Sequence, residues 1–401
     1  MKNLLHQLAR ALVFNQLKKI KTGQITIIEG SQKLSFGKKD KLNVTVTVHD
    51  PRFFGALAFG GSIGVSEAFM QKFWSVSDLT KLIRIMAINQ NTMDQLEGLF
   101  DMFLKPILKC LHYLNQNSVK GSEINISKHY DLGNEFFSLF LDSTMMYSSA
   151  VFKKPHDSLY QGSIHKLETI CQGLELTSQD HIIEIGSGWG GFAIYAAQHY
   201  GCKVTTTTIS KEQYKYVSQK IKDLKLSHKI TVLFCDYRHL KGQYDKLVSI
   251  EMLEAVGYQY YETYFKVCAS LLKPQGLAVI QTITITDQRY EKAKRSVDFI
   301  QRYIFPGSCI PSITALQNSM TQSSDLKIYS IHDIGTHYAR TLALWREGLF
   351  KNLKDVKALG FNDAFIRMWH FYFSYCEGGF EEKVISDIHL KLVKPGYRTK
   401  Y

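Results

Sequence analysis

Four glycines and one acid open the chemistry of this chain. The run HIIEIGSGWGGFAIYAA, from His181 to Ala197, places Glu184 inside a short apolar stretch, then Gly186, Gly188, Gly190 and Gly191, then a helix-forming series with small residues on one face. A strand, a glycine turn and a helix start make a crevice in which free backbone N–H groups meet a ligand at close range. A glycine turn by itself is weak evidence, and a ligand-free turn is the plain alternative. The acid sharpens it. A carboxylate within an apolar strand is costly unless it has a partner. A dinucleotide site also wants an acid at the end of the next strand, and that strand, KVTTTTI from Lys203 to Ile209, ends in threonines. The pattern E-x-G-x-G-x-G suits S-adenosylmethionine, which has no pyrophosphate to cradle.

Such a crevice needs a sheet beneath it. Candidate strands at Ile182–Ile185, Lys203–Thr208, Ile230–Phe234, Lys246–Ile250, Leu277–Ile283, Lys327–His332 and Ile385–Val393 alternate with helical segments such as Tyr261–Leu272. This is the pattern of an α/β, doubly wound, parallel Rossmann-like sheet. The stretch Asp287–Ser323 is too long for a simple crossover, and we expect it to be a helical insertion over the carboxyl ends of the strands, where ligands bind. Ahead of it, residues 1–115 read as a small α+β domain that faces lipid or mediates association. Its strands are expected at Gln24–Glu29 and Leu42–His49, with a turn-rich Gly30–Asp40 between them. The polar Gln116–Asn125 is the expected boundary, so the second domain spans 120–401.

The chain has 401 residues, 45% of them hydrophobic, enough for two domains with large cores. A net charge of +13 points to nucleic acid, an anionic membrane or an acidic carrier as partner. The basic residues are spread out and no RNA-module motif occurs, so no nucleic-acid partner is expected. The seven cysteines form no CxxC pair, which predicts a reducing compartment without a disulfide framework or a zinc site. The N-terminus is broken by Arg10 before a signal-peptide core forms, and no apolar run approaches a membrane span. Leu4, Leu5, Leu8, Leu12 and Val13 recur at helical spacing, followed by Lys18, Lys19 and Lys21. That helix either lies on lipid or packs on its own domain.

Beyond the glycine turn, HYDLGNEFF, MMYSSAVF, TTISKEQY, DYRHL, VSIEMLEAVG, RYIFPG and HYARTL occur in order from about Asn125 onward. Together with IEIGSGWGGFA the series resembles the cyclopropane-fatty-acyl-phospholipid synthases, S-adenosylmethionine-dependent methyltransferases that act on the double bond of an acyl chain. The resemblance implies that Tyr147 and Ser148 close over the cofactor's methionine part and that Gly186, Ser187, Gly188 and Gly190 form its loop. It also implies that Thr208, Ile209 and Gln213 contact it after the second strand, that Asp236 and Tyr237 lie beside adenine, and that Ile250 borders it. Glu184, from the residue reading, belongs with this set. Glu254 and Tyr338 match the bicarbonate-binding active site. Two positions of that cage depart from the family: Ser149 stands for a cysteine and Gln281 for a histidine. Serine and glutamine still donate hydrogen bonds, but neither titrates near neutral pH. Cys376 matches a cysteine assigned to the active site in some members, although an alkene acceptor needs no thiol.

The chemistry agrees: an alkene that attacks a sulfonium methyl leaves a carbocation, which wants a dry slot, aromatic faces and a base. Tyr130, Phe140, Tyr303, Phe305 and Tyr338 are candidate faces, and Glu254 a candidate to organise the base. The expected outcome is a cyclopropane fatty acid made on a membrane phospholipid, with bicarbonate as bound base and no metal. A methyl-branched or methylene product is the alternative, and so is a methyltransferase for a small soluble acceptor. A nucleic-acid methyltransferase and an inactive lipid-binding protein are further alternatives. The expected location is cytoplasmic, at the anionic surface of the inner membrane; a homodimer is compatible with the sequence.

Overall fold

A computed structural model describes residues 2–90 and 132–398. The expected boundary at Gln116–Asn125, Cys110 and Tyr130 lie outside the described residues. The chain forms two compact units. One comprises Met1–Leu114, Arg295–Ile304 and Trp345–Val384, and the other Asn115–Lys294, Phe305–Leu344 and Ile385–Tyr401. The first unit thus takes two stretches that the sequence reading assigned to a contiguous 120–401.

The first unit holds α1 (Lys2–Leu17), β1 (Gln24–Glu29), β2 (Gln32–Gly37), β3 (Asn43–Val48), α2 (Arg52–Met70), β4 (Trp74–Val76) and α3 (Leu79–Ile88). Its sheet runs β2-β1-β3-β4. The turn-rich segment therefore contains a strand. β2 was hidden because it is an edge strand that buries only Phe36, with Leu34 left exposed, so its apolar signal is short and weak. On α1 the buried stripe is Ala9, Val13 and Leu17, while Leu8 and Leu12 are exposed. The absence of any span-like run needs correction as well: α2 is 19 residues long, with a mean hydropathy of 1.4, enough by length and composition to cross a membrane. Its glycines and serines disguised it. Its backbone breaks at Gly61 (φ 52°, ψ −143°), and Phe53, Phe54 and Phe69 are buried in this unit.

The later stretches join the first unit through α13 (Asp363–Glu381), which packs on α2 and α3. It buries Trp369, Phe371, Phe373 and Phe380, and Arg367 lies over the Phe69 ring at 3.8 Å. Glu377 on α13 accepts from Thr80 on α3 (3.1 Å) and pairs with Arg346 (3.0 Å).

The second unit is a seven-stranded sheet of β5 (His181–Ile185), β6 (Lys203–Thr208), β7 (Ile230–Phe234), β8 (Tyr244–Ile250), β9 (Leu272–Ile285), β10 (Lys327–Asp333) and β11 (Ile385–Val393). All seven expected strands are present. The order is β10-β11-β9-β8-β5-β6-β7. The sheet is not wholly parallel, because β11 runs antiparallel to both β9 and β10. Alternation along each strand feeds two cores. On one face Ile182, Val204, Val248 and Val279 pack with Leu167 and Ile170 of α5 (Leu159–Gly173), Phe192 of α6 (Gly191–His199) and Val217 of α7 (Lys211–Asp223). On the other, Ile183, Leu247 and Ile280 pack with Phe265 of α8 (Tyr261–Leu271) and Leu316 of α10 (Ile313–Ser323). A capping box between Ser158 and Gln161 starts α5. Of the expected insertion, α9 (Asp287–Lys294) and α10 belong to this unit, whereas Arg295–Ile304 belongs to the first.

Candidate active site

Most of the residues singled out in the sequence collect at the carboxyl ends of β5, β6, β7 and β8, and alongside β9. After Ile185 the chain turns through Gly186 (φ 96°), Gly188 (φ 49°) and Gly190 (φ 85°) into α6. The N–H groups of Gly186 and Ser187 both donate to Thr207 O (3.1 and 2.8 Å), which ties the loop to β6. A Cβ built on Gly188 would meet nothing within 4 Å, whereas one on Gly191 would strike Met146 Sδ at 2.4 Å. The loop is therefore backed by protein at Gly191 and open at Gly188, as a cradle must be. Ser187 turns its own hydroxyl back onto Gly188 O (3.0 Å).

Glu184 is buried in β5 and accepts from Thr206 Oγ1 at 2.5 Å. Burial pushes its carboxyl up to about 8. After β6, Thr208 Oγ1 donates to Gln213 Oε1 (2.8 Å) and accepts from Ser210 N–H (3.1 Å), which brackets Ile209. After β7, burial opposes ionisation of Asp236, but hydrogen bonds from Arg238 hold its carboxyl below the ordinary range; the two form an ion pair at 2.6 Å. Tyr237 is placed differently from its neighbour. Its ring packs edge-on against Tyr264 at 5.7 Å within the core. Ile250 ends β8 and packs, half-buried, on the opposite core.

Beside the loop stands an aromatic wall. The Phe137 centroid lies 4.9 Å from Trp189 and 5.2 Å from Tyr147. Tyr147 in turn lies 6.3 Å from Phe140 and 6.4 Å from Phe305. Trp189 Nε1 donates to Asn134 Oδ1 at 2.7 Å, so Asn134 anchors the glycine loop directly.

The polar cage centres on a residue that sequence reasoning missed. Three groups from the expected active site converge on Glu251: Ser149 N–H (2.7 Å) and Gln281 Nε2 (2.8 Å) donate to Oε1, and Tyr338 OH donates to Oε2 (2.6 Å). Gln281 Nε2 also donates to Asp387 Oδ2 at 2.7 Å. Asp387, fully buried on β11, hydrogen-bonds to Glu251 as well. Burial, then the charges of Glu251 and Glu254, drive the Asp387 carboxyl well above the ordinary range; it is the member of the pair that holds the shared proton. The nearby cation is Lys166 of α5, fully buried, with Nζ 2.5 Å from Ser148 Oγ. Burial lowers it to about 8 against the pull of Glu251 and Asp387.

Glu254 stands beside this cage. Its Oε1 accepts from Thr282 Oγ1 (3.0 Å) and from Ile283 N–H, and its buried Oε2 has no partner among the described residues. Burial and the charge of Glu251 raise its carboxyl to about 8. Ser149 Oγ donates to Ala150 O (3.0 Å), so only its backbone reaches Glu251. Two expected residues belong to the first unit. Tyr303 donates its hydroxyl to Glu67 there. Cys376 lies on α13 with its thiol pushed up by burial, which disfavours thiolate chemistry.

The open cradle at Gly188, the buried acid of β5 and the aromatic wall fit S-adenosylmethionine, whose sulfonium supplies an electrophilic methyl group. Comparison with known proteins agrees. Residues 117–390 match the family described as mycolic acid cyclopropane synthetase. The tuberculostearic acid methyltransferase UfaA1 of Mycobacterium tuberculosis is 34% identical over 344 residues, covering 84% of this chain and 80% of that protein. The cyclopropane-fatty-acyl-phospholipid synthase of Escherichia coli K12 is 33% identical, covering 85% of each. The crystal structure of the mycolic acid cyclopropane synthase CmaA1 complexed with SAH and CTAB superposes with a TM-score of 0.63 at 27% identity, covering 68% of this chain and 98% of that one. The chain thus belongs to the mycolic acid cyclopropane synthetase family, the S-adenosylmethionine-dependent methyltransferases that modify lipid acyl chains.

Proposed function

We propose that this enzyme transfers the methyl carbon of S-adenosylmethionine to the double bond of an unsaturated acyl chain in a membrane phospholipid and closes a cyclopropane ring. The observation that carries this reading is an aromatic wall and a buried carboxylate cage at one end of one sheet. Phe137, Phe140, Tyr147 and Phe305 offer π faces to a cationic carbon, and the cage takes up a proton. A small amine or hydroxyl acceptor would also need a base, but not the aromatic faces. Gly186–Gly190 and Glu184 would hold the cofactor, whose sulfonium supplies the methyl group.

A methyl-branched or methylene product is the second reading. It draws support from Ser149 and Gln281, which depart from the family's cage, and from the relative whose name describes a methyltransferase. Membrane phospholipid as substrate accords with the charge of +13 and with the exposed Leu8 and Leu12 on α1, ahead of Lys18, Lys19 and Lys21. On this reading the protein works at the anionic, cytoplasmic face of a membrane. The test is mass spectrometry of acyl chains from cells that express it. A gain of one CH2 that degradation identifies as a ring is expected; a branch or an exomethylene group selects the second reading, and unchanged lipids reject both.

A further inference from the structure

Bicarbonate does not fit the cage as this chain builds it. The donors that the family resemblance assigns to a bound anion are Tyr338, the group at 281 and the Ser149 segment. All three are turned on the Glu251 side chain: Tyr338 OH on Oε2, Gln281 Nε2 and Ser149 N–H on Oε1. A second anion would find these donors engaged and a carboxylate in its place.

The backbone at Glu251 fits the same arrangement. Glu251 follows β8 with φ at 49°, the left-handed region that favours glycine, and its N–H donates to Gln281 O at 2.8 Å. Such a conformation costs a non-glycine residue energy and, away from a helix end, is held by its surroundings. Here the surroundings are the three donors on its carboxylate.

We propose that Glu251 is an internal base: its carboxylate occupies the anion position of the cage and accepts the proton of the reaction, so that turnover needs no bicarbonate. The proposal rests on the acyl double bond being the methyl acceptor. In that reaction the alkene π pair forms the new C–C bond, and the C–S bond breaks with its pair left on sulfur. The positive charge moves to the other alkene carbon. Glu251 removes a proton from the transferred methyl group, and the C–H pair left behind closes the ring onto the cationic carbon. The carboxylate gains one proton and becomes neutral, and no oxidant or reductant is required. Burial raises the Glu251 carboxyl, while the charge of Lys166 and the bonds from Tyr338 and Ser149 favour its ionised form, and Asp387 holds the proton that the two acids share. Gln281, bonded to both carboxylates, keeps them in register.

The experiment uses the full chain, S-adenosylmethionine and vesicles of unsaturated phospholipid in carbon-dioxide-free buffer, with and without added bicarbonate, reading acyl product by mass spectrometry. Wild-type product formation is expected to be the same in both. Glu251→Gln, which keeps the shape and loses the base, is expected to fall by roughly 100- to 10,000-fold. Glu251→Gly, which suits the backbone and empties the cage, is expected to be as slow until bicarbonate is added and then to recover. A wild-type rate that rises with bicarbonate overturns the proposal without needing either variant to fold. Glu251→Gln at full rate overturns it as well. A wild type that releases no acyl product in either buffer instead rejects the acyl-chain reading on which it rests.

Discussion

Gln281 of β9 and His389 of β11 are direct partners in the antiparallel register, and His389 Nε2 lies 3.4 Å from Gln281 Oε1. The motif this chain resembles carries its histidine at 281. Here the imidazole sits one strand over, on the same face, and the amide at 281 spans three neighbours. Its Nε2 serves Glu251 and Asp387 while its Oε1 faces His389. Burial, together with the charge of Lys166, lowers His389 to about 3, so its ring stays neutral throughout the working range.

That arrangement predicts coupling. Gln281→His gives two imidazoles in register and leaves one carboxylate without its amide donor, so it should lower stability by about 1–3 kcal/mol. Adding His389→Gln restores an amide beside the imidazole and should recover part of that loss. Urea unfolding of the four proteins measures the interaction, expected at about 0.5–3 kcal/mol. Strictly additive effects would show that the two side chains do not communicate.

Glu184 predicts a pH dependence. Its folded carboxyl titrates near 8, above the ordinary 4.5. Between those values the folded protein holds a proton that the unfolded chain does not. The contribution to stability is therefore complete below 4.5 and is lost as pH rises through 8. Glu184→Gln is always neutral and keeps an acceptor for Thr206. Its stability relative to the wild type, measured without cofactor, should rise between about pH 5 and about pH 8.5 by on the order of a few kcal/mol. A difference that stays flat would mean that Glu184 is ionised in the folded protein.

Much of the frame was legible because it rests on periodicity. The seven candidate strands are all present, and the glycine spacing located the loop. What was not legible depends on residues that meet only in three dimensions. Glu251 and Glu254 both stand in VSIEMLEAVG, but only the fold shows that the donors reach the first. Lys166 carries no sequence signal of its own, although it shares the buried face of α5 with Ser163, Leu167 and Ile170. Asp387 and His389 alternate with apolar residues, a pattern that reads as a solvent face. β11 lies between β9 and β10, and the face carrying these two residues is covered by the cage. β2 escaped for the opposite reason, having almost nothing to bury.

Gly188 separates binding from folding. Nothing lies within 4 Å of a Cβ placed there, so Gly188→Trp has room to project into the cradle, at a backbone cost of roughly 1–2 kcal/mol for its positive φ. We expect a folded protein with no measurable S-adenosylmethionine binding by calorimetry. Unchanged affinity would move the cofactor site away from this loop.

The membrane reading predicts salt sensitivity. Binding to anionic vesicles should weaken as added salt screens the basic surface, and Leu8→Asp with Leu12→Asp should weaken it further by removing the exposed apolar positions of α1. Equal binding to neutral and anionic vesicles at every salt concentration would remove the electrostatic part of the proposal.

The two remaining cage positions should differ sharply in what they contribute to the reaction. Ser149 meets Glu251 through its backbone N–H, and its hydroxyl is spent on Ala150 O. Ser149→Ala keeps the first bond and loses only a neutral one, so methyl-transfer kcat/KM should fall by about threefold or less. Glu254 is different. One of its oxygens is fixed by Thr282 and Ile283, and the other is buried without a partner among the described residues. Burial and Glu251 keep this carboxyl protonated until about pH 8, and once ionised its charge raises Asp387. Glu254→Gln removes a group that can give or take a proton and places an amide donor beside the reacting centre. Losing an acid–base group costs more than losing a neutral donor; a fall of about 10- to 1,000-fold in kcat/KM is expected. S-adenosylmethionine affinity should change little, because the glycine loop is untouched. Comparable losses for the two variants would mean that the Ser149 hydroxyl turns toward the substrate during turnover. A near-silent Glu254→Gln would leave Glu251 and Asp387 as the whole of the acid–base machinery.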